Sequence, residues 1–521
     1  MTVNYCLRRA RDFFGSNIAV EHGDCALTYA QFYAQVENSA RKLAALGAQP
    51  GDRVAILMLN SPEYLDLYFS PALAGALIVP LNTRWHINEI NFTLSDSGSK
   101  ILIVDEKFAP LVPQIRAAVP GVQRVVFMGE GACPEGLCDW RTVTPDAALE
   151  FSEPGEDDVA GLFYTSGTTG GPKGAMLTHR NLYSNAVHGL LAGDLFGGGK
   201  WLHAAPMFHI ADAGAIYALT LCGATHCFIP TFDPAAVLGA IERHRITLIL
   251  LVPTMINMVV NHPDCCKYDL SSLRRVIYGA SPMPLPLLRR AMDALGCEFV
   301  QAYGMTEVSP LLTCLPASDH RFEGSDAQFA PVKSAGRPVA GIEIRVVDHN
   351  DRDVPARHPG EIIARGPNVM KGYWNRPEIS AEVLRGGWMH TGDLGAFDEQ
   401  GFLYLLDRKK DMIKTGSENV YSPEVESAIC AHPSVLEAAV IGIPDPVWGE
   451  TIRAVVVTRP DAALSEQELI AWCRDRLTHF KCPTSAIFTD ALPKGGTGKI
   501  QKNVLRDRFG ARAAAQESSL T

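Results

Sequence analysis

The sequence predicts an α/β protein: a large N-terminal domain of parallel α/β sheets, an antiparallel β subdomain, and a small α+β C-terminal domain. Three observations predict it. Short apolar runs alternate with helical patterns up to about residue 330. After about residue 333, strict apolar/polar alternation and dense turns replace them. A charged stretch, Asp407-Arg408-Lys409-Lys410-Asp411, then sets off a compact unit with its own helices and strands.

The elements follow in order. Thr28 and Gln31 form a capping box, Phe32, Val36, Leu43 and Leu46 recur at helical spacing, and Gly47 supplies a stop. Residues 54–59 read as a buried strand, and Ser61-Pro62 start a helix as N-cap and first-turn proline. Residues 101–104 form another strand, Asp233-Pro234 begin a helix, and residues 247–252 return as a strand. The most apolar run, residues 246–260, is broken by Pro253, Thr254 and Asn257. It is too short and broken to span a bilayer, and reads as a strand followed by a helix.

Beyond, Ile342, Ile344 and Val346 alternate with Glu343 and Arg345, and residues 361–364 form a second short strand. In the last unit Ser422-Pro423 start a helix, residues 438–441 and 452–458 are strands, and Ser465 with Glu468 boxes another helix. The expected division is 1–406, with α/β subdomains to about 330 and the β subdomain at about 333–406; 407–411 as a hinge; and 412–521. The tail after about residue 510 is Ala-rich, then polar, and is expected to be disordered.

At ~100–200 residues per domain, a chain of 521 residues suggests roughly three to five domains or subdomains. Such a chain buries a large core and needs neither disulfides nor structural metal to fold. Lys and Arg total 47 against 57 Asp and Glu, a net charge of −10. That balance argues against a nucleic-acid binder, which needs surplus positive charge, but leaves room for a small anion in one pocket. The 13 cysteines are scattered, which suits reduced thiols and a cytoplasmic location. Cys133 with Cys138, and Cys222 with Cys227, lack the second half of a zinc site. Residues 1–17 carry Arg8, Arg9 and Arg11 without the apolar core of a signal peptide.

The sharpest local signal is Tyr164-Thr165-Ser166-Gly167-Thr168-Thr169-Gly170-Gly171-Pro172-Lys173-Gly174, after an apolar stretch. Its glycines let backbone amides approach an anion, its hydroxyls add donors, and Lys173 adds charge. It is not a Walker A loop, because Pro172 stands where that loop needs glycine. A second signal is Gln301-Ala302-Tyr303-Gly304-Met305-Thr306-Glu307 at a strand end. Tyr303 is able to stack on a base, and Glu307 is able to hold Mg2+, which binds phosphates with few carboxylates. In Trp388-Met389-His390-Thr391-Gly392-Asp393, the carboxylate suits two ribose hydroxyls. The fourth signal is residues 407–420. The fifth, residues 493–502, places Lys499 in a Gly-rich turn.

These five motifs, in this order over residues 27–505, resemble the adenylate-forming superfamily of acyl-CoA synthetases, firefly luciferases and peptide-synthetase adenylation domains. The resemblance implies a mobile C-terminal domain and two half-reactions. A carboxylate and ATP give acyl-AMP and pyrophosphate, and a thiol then gives a thioester and AMP. ATP, Mg2+ and coenzyme A are the implied cofactors. It assigns Thr165, Ser166, Gly167, Thr168, Thr169, Gly170 and Lys173 to the β- and γ-phosphates. Gly279, Ala280 and Ser281, with Tyr303, form the adenine slot, and Gln301, Ala302, Gly304 and Met305 are further ATP-binding residues. Thr306 touches phosphate, Glu307 and Thr165 hold the metal, Asp393 and Arg408 hold the ribose, and Lys499 bridges carboxylate and α-phosphate. Lys410 is the implied hinge, and Gly416 and Ser417 face CoA.

His209, Ala211, Ala213 and Gly214 are the implied acyl pocket, with His209 lining or gating it. Plant-type 4-coumarate ligases carry tyrosine at the position of Ala211, and a small residue there leaves room for an alkyl chain. The favoured substrate is therefore a medium- or long-chain fatty or similar apolar acid. Alternatives are an aryl acid (cinnamate, ferulate or benzoate type) and an acyl-AMP ligase that loads a carrier protein. A homodimer and peripheral membrane contact are left open.

Overall fold

The computed structural model describes residues 1–165, 172–193, 199–322, 330–416, 418–460, 462–495 and 500–510. Among the described residues there are four sheets, of nine, eight, four and five strands. Apolar runs make the centres of the two large ones. Ile101–Val104 is buried at every position, as a parallel strand covered on both faces must be.

The eight-stranded sheet is parallel through Arg53–Leu57, Leu77–Pro80, Ile101–Val104 and Val159–Thr165. Lys173–Thr178 then turns back antiparallel on Val159–Thr165, with Thr165 opposite Lys173. The last strand on that side, Gly372–Tyr373, comes from two hundred residues further on and pairs with Lys173–Thr178. The nine-stranded sheet aligns Leu248–Leu251, Arg275–Gly279 and Glu298–Gly304 in parallel, then adds the antiparallel Leu311–Leu315. The sequence leads one to expect parallel sheets. The antiparallel members lie toward the edges, where hairpins return the chain and carry the motifs.

Helix starts follow the local chemistry. Thr28 and Gln31 exchange both bonds of a capping box. Ser61 accepts from the Tyr64 amide at 3.1 Å, and Asp233 from the Ala236 amide at 2.8 Å. The apolar run at 246–260 is the strand Leu248–Leu251 followed by the helix Pro253–Val260. Among the described residues no helix is long and apolar enough to cross a membrane.

Glu343–Val347, Gly360–Arg365, Met389–Phe397 and Leu403–Arg408 make an antiparallel meander. The next sheet begins at Ile413–Thr415. Between them the amides of Asp411 and Met412 both donate to the Arg408 carbonyl, at 2.8 and 3.0 Å, closing a tight turn around the exposed Lys410. In the C-terminal sheet Ala438 and Val440 point into one apolar cluster, and Ala439 and Ile441 into another on the opposite face. Its long hairpin, Val435–Asp445 with Gly449–Thr458, outruns the apolar runs at 438–441 and 452–458. Backbone pairing, as of Asp445 with Gly449, carries the ladder past the last buried side chain. The tail from residue 511 lies outside the described residues.

Candidate functional site

The ends of three strands and one short turn converge. Glu298–Gly304 ends at Gly304, and the turn Thr306–Val308 follows it. Tyr303 is 8% exposed, and its hydroxyl donates to Asp393 Oδ2 at 2.9 Å. Asp393 sits opposite Arg408 across the Met389–Phe397 and Leu403–Arg408 pair, with Arg408 Nε 3.3 Å from Asp393 Oδ1. Thr391 Oγ1 accepts from the Asp393 amide at 3.1 Å and fixes the turn that presents the carboxylate. A carboxylate with two acceptor oxygens at the mouth of a sheet is suited to a pair of vicinal hydroxyls.

Glu307 is buried, with 6% exposure, and accepts from the Tyr373 hydroxyl at 2.6 Å on Oε1. Burial pushes its pKa up. The Tyr373 bond, its own backbone amide and Arg408 pull the other way, and the charge of Asp393 adds to the rise. Glu307, Arg408 and Asp393 therefore share one electrostatic environment. A buried carboxylate of this kind is stabilised by a cation. Among the described residues no three His, Cys, Asp or Glu side chains gather to cage one. One buried carboxylate, Glu307, fits Mg2+, which takes one or two carboxylates and completes its shell with phosphate and water.

Tyr373 also links this pair to the strand that begins at Lys173. Lys173 Nζ lies 5.7 Å from the centre of its ring. Tyr373 carries no local signal of chemistry in the sequence. Only the pairing of Gly372–Tyr373 with Lys173–Thr178 brings it here, so pattern reading misses it. Thr165 and Thr306 are both half-buried. Ser166, Gly167, Thr168, Thr169 and Gly170 lie outside the described residues, as do Ser417 and Lys499.

Gly279 ends its strand opposite Ala302, where any Cβ would overlap the Ala302 carbonyl oxygen. Ala280 follows in the left-handed region (φ 64°), and Ser281 is half-buried. A non-glycine residue held there is a strained turn of the kind found at ligand clamps. Gln301, Ala302, Gly304 and Met305 line the adjacent strand end, all half-buried. Behind them the Tyr278 hydroxyl meets Gln301 Oε1 at 3.2 Å and His320 Nε2 at 3.0 Å.

His209 caps the helix Ile210–Leu221, its Nδ1 accepting from the Ala211 amide at 3.2 Å. That bond places the ring proton of neutral His209 on Nε2 and occupies the Nδ1 lone pair with the Ala211 amide. The proposed pocket wall needs correcting on the same helix. Ala213 is fully buried in the core, and the open side of Gly214 is filled by Pro310, Asn185 and Ser309. Neither borders open space; the half-buried positions are Ala211 and, one turn on, Ala215. Asp212 is fully buried and held by His203 Nδ1 at 2.6 Å and Trp201 Nε1 at 3.3 Å.

Gly416 directly follows the strand Ile413–Thr415 of the C-terminal sheet. It has φ 64°, its amide donates to the Trp448 carbonyl at 2.7 Å, and a Cβ would lie 3.2 Å from the Trp448 ring. Trp448 is 59% exposed, so this face of the C-terminal domain presents an indole beside a glycine.

The AMP-binding enzyme family matches residues 7–374, and its C-terminal domain matches residues 424–499. The chain belongs to this adenylate-forming family, and it is an AMP-forming acid–CoA ligase whose cofactors are ATP, Mg2+ and CoA. It is similar to the feruloyl-CoA synthase of Amycolatopsis sp, with 44% identity over 493 residues, covering 94% of this chain and 96% of that one. It is 38% identical over 490 residues to the long-chain-fatty-acid–CoA ligase FadD13 of Mycobacterium tuberculosis, covering 94% of each chain. The crystal structure of ATP-bound MatB from Rhodopseudomonas palustris superposes with a TM-score of 0.87 at 32% identity, over 98% of this chain and 99% of that one.

Proposed function

We propose that the acid is an apolar monocarboxylic acid, with a ferulate-type aryl acid as the leading substrate. The observation that carries it is the composition of the helix start beside His209. Ala211 and Ala215 are small, apolar and half-buried, which suits an apolar acid body, ring or chain, while Asp212 is turned into the core and bonded. From residue 205 to 215 no Lys or Arg occurs that would hold a second carboxylate. The 44% identity to a feruloyl-CoA synthase supports the aryl body. The 38% identity to a long-chain-fatty-acid–CoA ligase supports the alkyl chain as a second reading.

In this reading Thr165 and Lys173, with the loop between them, hold the β- and γ-phosphates. Asp393 and Arg408 hold the ribose, the turn at Gly279 to Ser281 faces the adenine, and Thr306 touches phosphate. Glu307 holds Mg2+, which spreads the charge of the phosphates when bound. The substrate carboxylate is itself the nucleophile. The protein's task is to offset repulsion between two anions and hold them in line. Lys499 bridges the two anions during adenylation. The C-terminal domain then turns about Lys410 and brings Gly416 and Ser417 toward the thiol.

The test is pyrophosphate release across ferulate, coumarate, benzoates, short- to long-chain fatty acids and aliphatic dicarboxylates, with and without CoA. The highest kcat/KM is expected for a hydroxycinnamate. Turnover confined to long-chain acids would establish the second reading, and turnover confined to dicarboxylates would refute both. Lys499→Ala is expected to slow acyl-AMP formation by at least ~10²-fold. It should largely spare thioester formation from supplied acyl-AMP, and equal loss in both half-reactions would refute its role.

A further inference from the structure

One largely buried carboxylate, outside the five motifs in sequence, gathers the roots of the site. Asp96 lies at the end of the helix Ile87–Ser97, with a side chain 9% exposed. Its Oδ2 accepts from the Tyr164 hydroxyl at 2.7 Å, and its Oδ1 pairs with Arg376 Nη2 at 2.9 Å. Its backbone carbonyl accepts from Trp374 Nε1 at 3.0 Å and from Asn375 Nδ2 at 3.1 Å. Four donors from two distant segments thus end on one residue.

Both segments adjoin the site. Tyr164 directly precedes Thr165, and its ring lies 2.9 Å from where a Cβ on Gly174 would stand. Tyr164 and Gly174 are cross-strand partners at the two ends of the loop stem. The Trp374 amide donates to the Gly174 carbonyl at 2.8 Å, and Trp374 directly follows Tyr373. The helix end bearing Asp96 is itself fixed. Gly98 closes it in the left-handed region, and Arg53 donates to the Ser97 carbonyl at 2.7 Å and to the Gly98 carbonyl at 2.9 Å.

We propose that Asp96 is a positioning residue for triphosphate binding. It clamps Tyr164 and the 374–376 segment to one rigid helix end, so that Thr165, Lys173 and Tyr373 keep their mutual spacing. The inference rests on the phosphate role proposed for the loop stem. Its consequence is selective by ligand. ATP reaches the loop with its β- and γ-phosphates, whereas AMP has neither. Loosening the clamp therefore weakens ATP and leaves AMP alone.

Calorimetric titration of ATP–Mg2+ and of AMP into the purified full-length protein tests this without any acid substrate. Asp96→Asn and Tyr164→Phe are each expected to weaken ATP by about tenfold and to change AMP by less than about twofold. The double variant should be little worse than either alone, because both remove the same clamp. Equal weakening of ATP and AMP, or unchanged ATP affinity, would overturn the inference. Wild-type protein that binds ATP no more tightly than AMP would overturn the phosphate role of the stem, and the inference with it. Should Asp96→Asn fold poorly, Tyr164→Phe removes a single oxygen and decides the matter.

Discussion

The Tyr373 hydroxyl donates to Glu307 Oε1 at 2.6 Å, from a strand of one large sheet to a turn at the end of the other. A hydrogen bond to a buried carboxylate is worth about 1.5–3 kcal/mol. It holds Glu307 in its charged form and in one orientation. Tyr373→Phe should therefore raise the Mg2+ concentration needed for half-maximal ATP binding by about tenfold or more. A magnesium titration followed by nucleotide fluorescence measures it, and an unchanged midpoint would contradict the link.

The same bond gives a pH dependence of definite sign. Burial raises the pKa of Glu307 above the ordinary carboxyl value, and the Tyr373 bond lowers it in part. The ionised form is the one that holds a cation, so Mg2+ affinity falls as pH drops through the raised pKa. Removing the bond raises that pKa further. The acid limb of Mg2+-dependent ATP binding should move to higher pH in Tyr373→Phe, and a shift to lower pH would refute the assignment.

Gly416 combines φ 64° with a Cβ site 3.2 Å from the Trp448 ring. Valine there would meet both the left-handed backbone and the indole, at about 1–2 kcal/mol for the backbone alone. Gly416→Val is expected to slow thioester formation from supplied acyl-AMP by about tenfold or more, with acyl-AMP formation largely kept. Single-turnover assays of the two steps separate these outcomes. Loss confined to acyl-AMP formation would remove Gly416 from the CoA path.

Much of this was legible in sequence because its cause is local. The boxes at Thr28 and Ser465 and the N-caps at Ser61 and Asp233 are settled within four residues. The meander is legible because alternation at Ile344 and Val346 has a period of two. Asp393 and Arg408 were readable as separate motifs, and their cross-strand pairing adds the geometry. Tyr373 and Asp96 were not readable, since each acts through partners 66 and 68 residues or more away in the chain. Ala213 and Gly214 were misplaced because a run of small residues does not say which helix face is open. Packing of Gly214 against Pro310 decides that.

Asp66 offers a stability test remote from the site. It is buried, and its Oδ2 accepts from Ser39 Oγ at 2.8 Å while Oδ1 has no partner. Burial raises its pKa from 3.8 to about 7. The folded state then binds this proton more tightly, so the contribution of Asp66 to stability is fully present below about pH 4 and is lost as pH rises through about 7. Asp66→Asn should flatten that decline and raise stability at about pH 8, by on the order of 2–4 kcal/mol. Thermal melts of both proteins from about pH 5 to 8 check it, and a steeper decline in the variant would contradict the sign.

A buried chain locks the helix Ile210–Leu221 along its length. Asp212 in its first turn accepts from His203, His203 Nε2 meets His226 Nδ1 at 2.9 Å, and His226 Nε2 meets Thr220 in the last turn at 3.2 Å. Asp212→Ala leaves the buried donors of His203 and Trp201 without their acceptor and should cost about 1–3 kcal/mol. A loss below about 1 kcal/mol in denaturant melts would mean that packing alone sets the helix.

ATP should be cleaved between its α- and β-phosphorus atoms as an apolar acid becomes an adenylate and then a thioester. Quantifying every phosphorus product during turnover of ferulate and CoA tests it most directly. One AMP and one pyrophosphate are predicted for each thioester formed, with acyl-AMP accumulating when CoA is withheld. Release of ADP and orthophosphate, or thioester without AMP, would contradict the account.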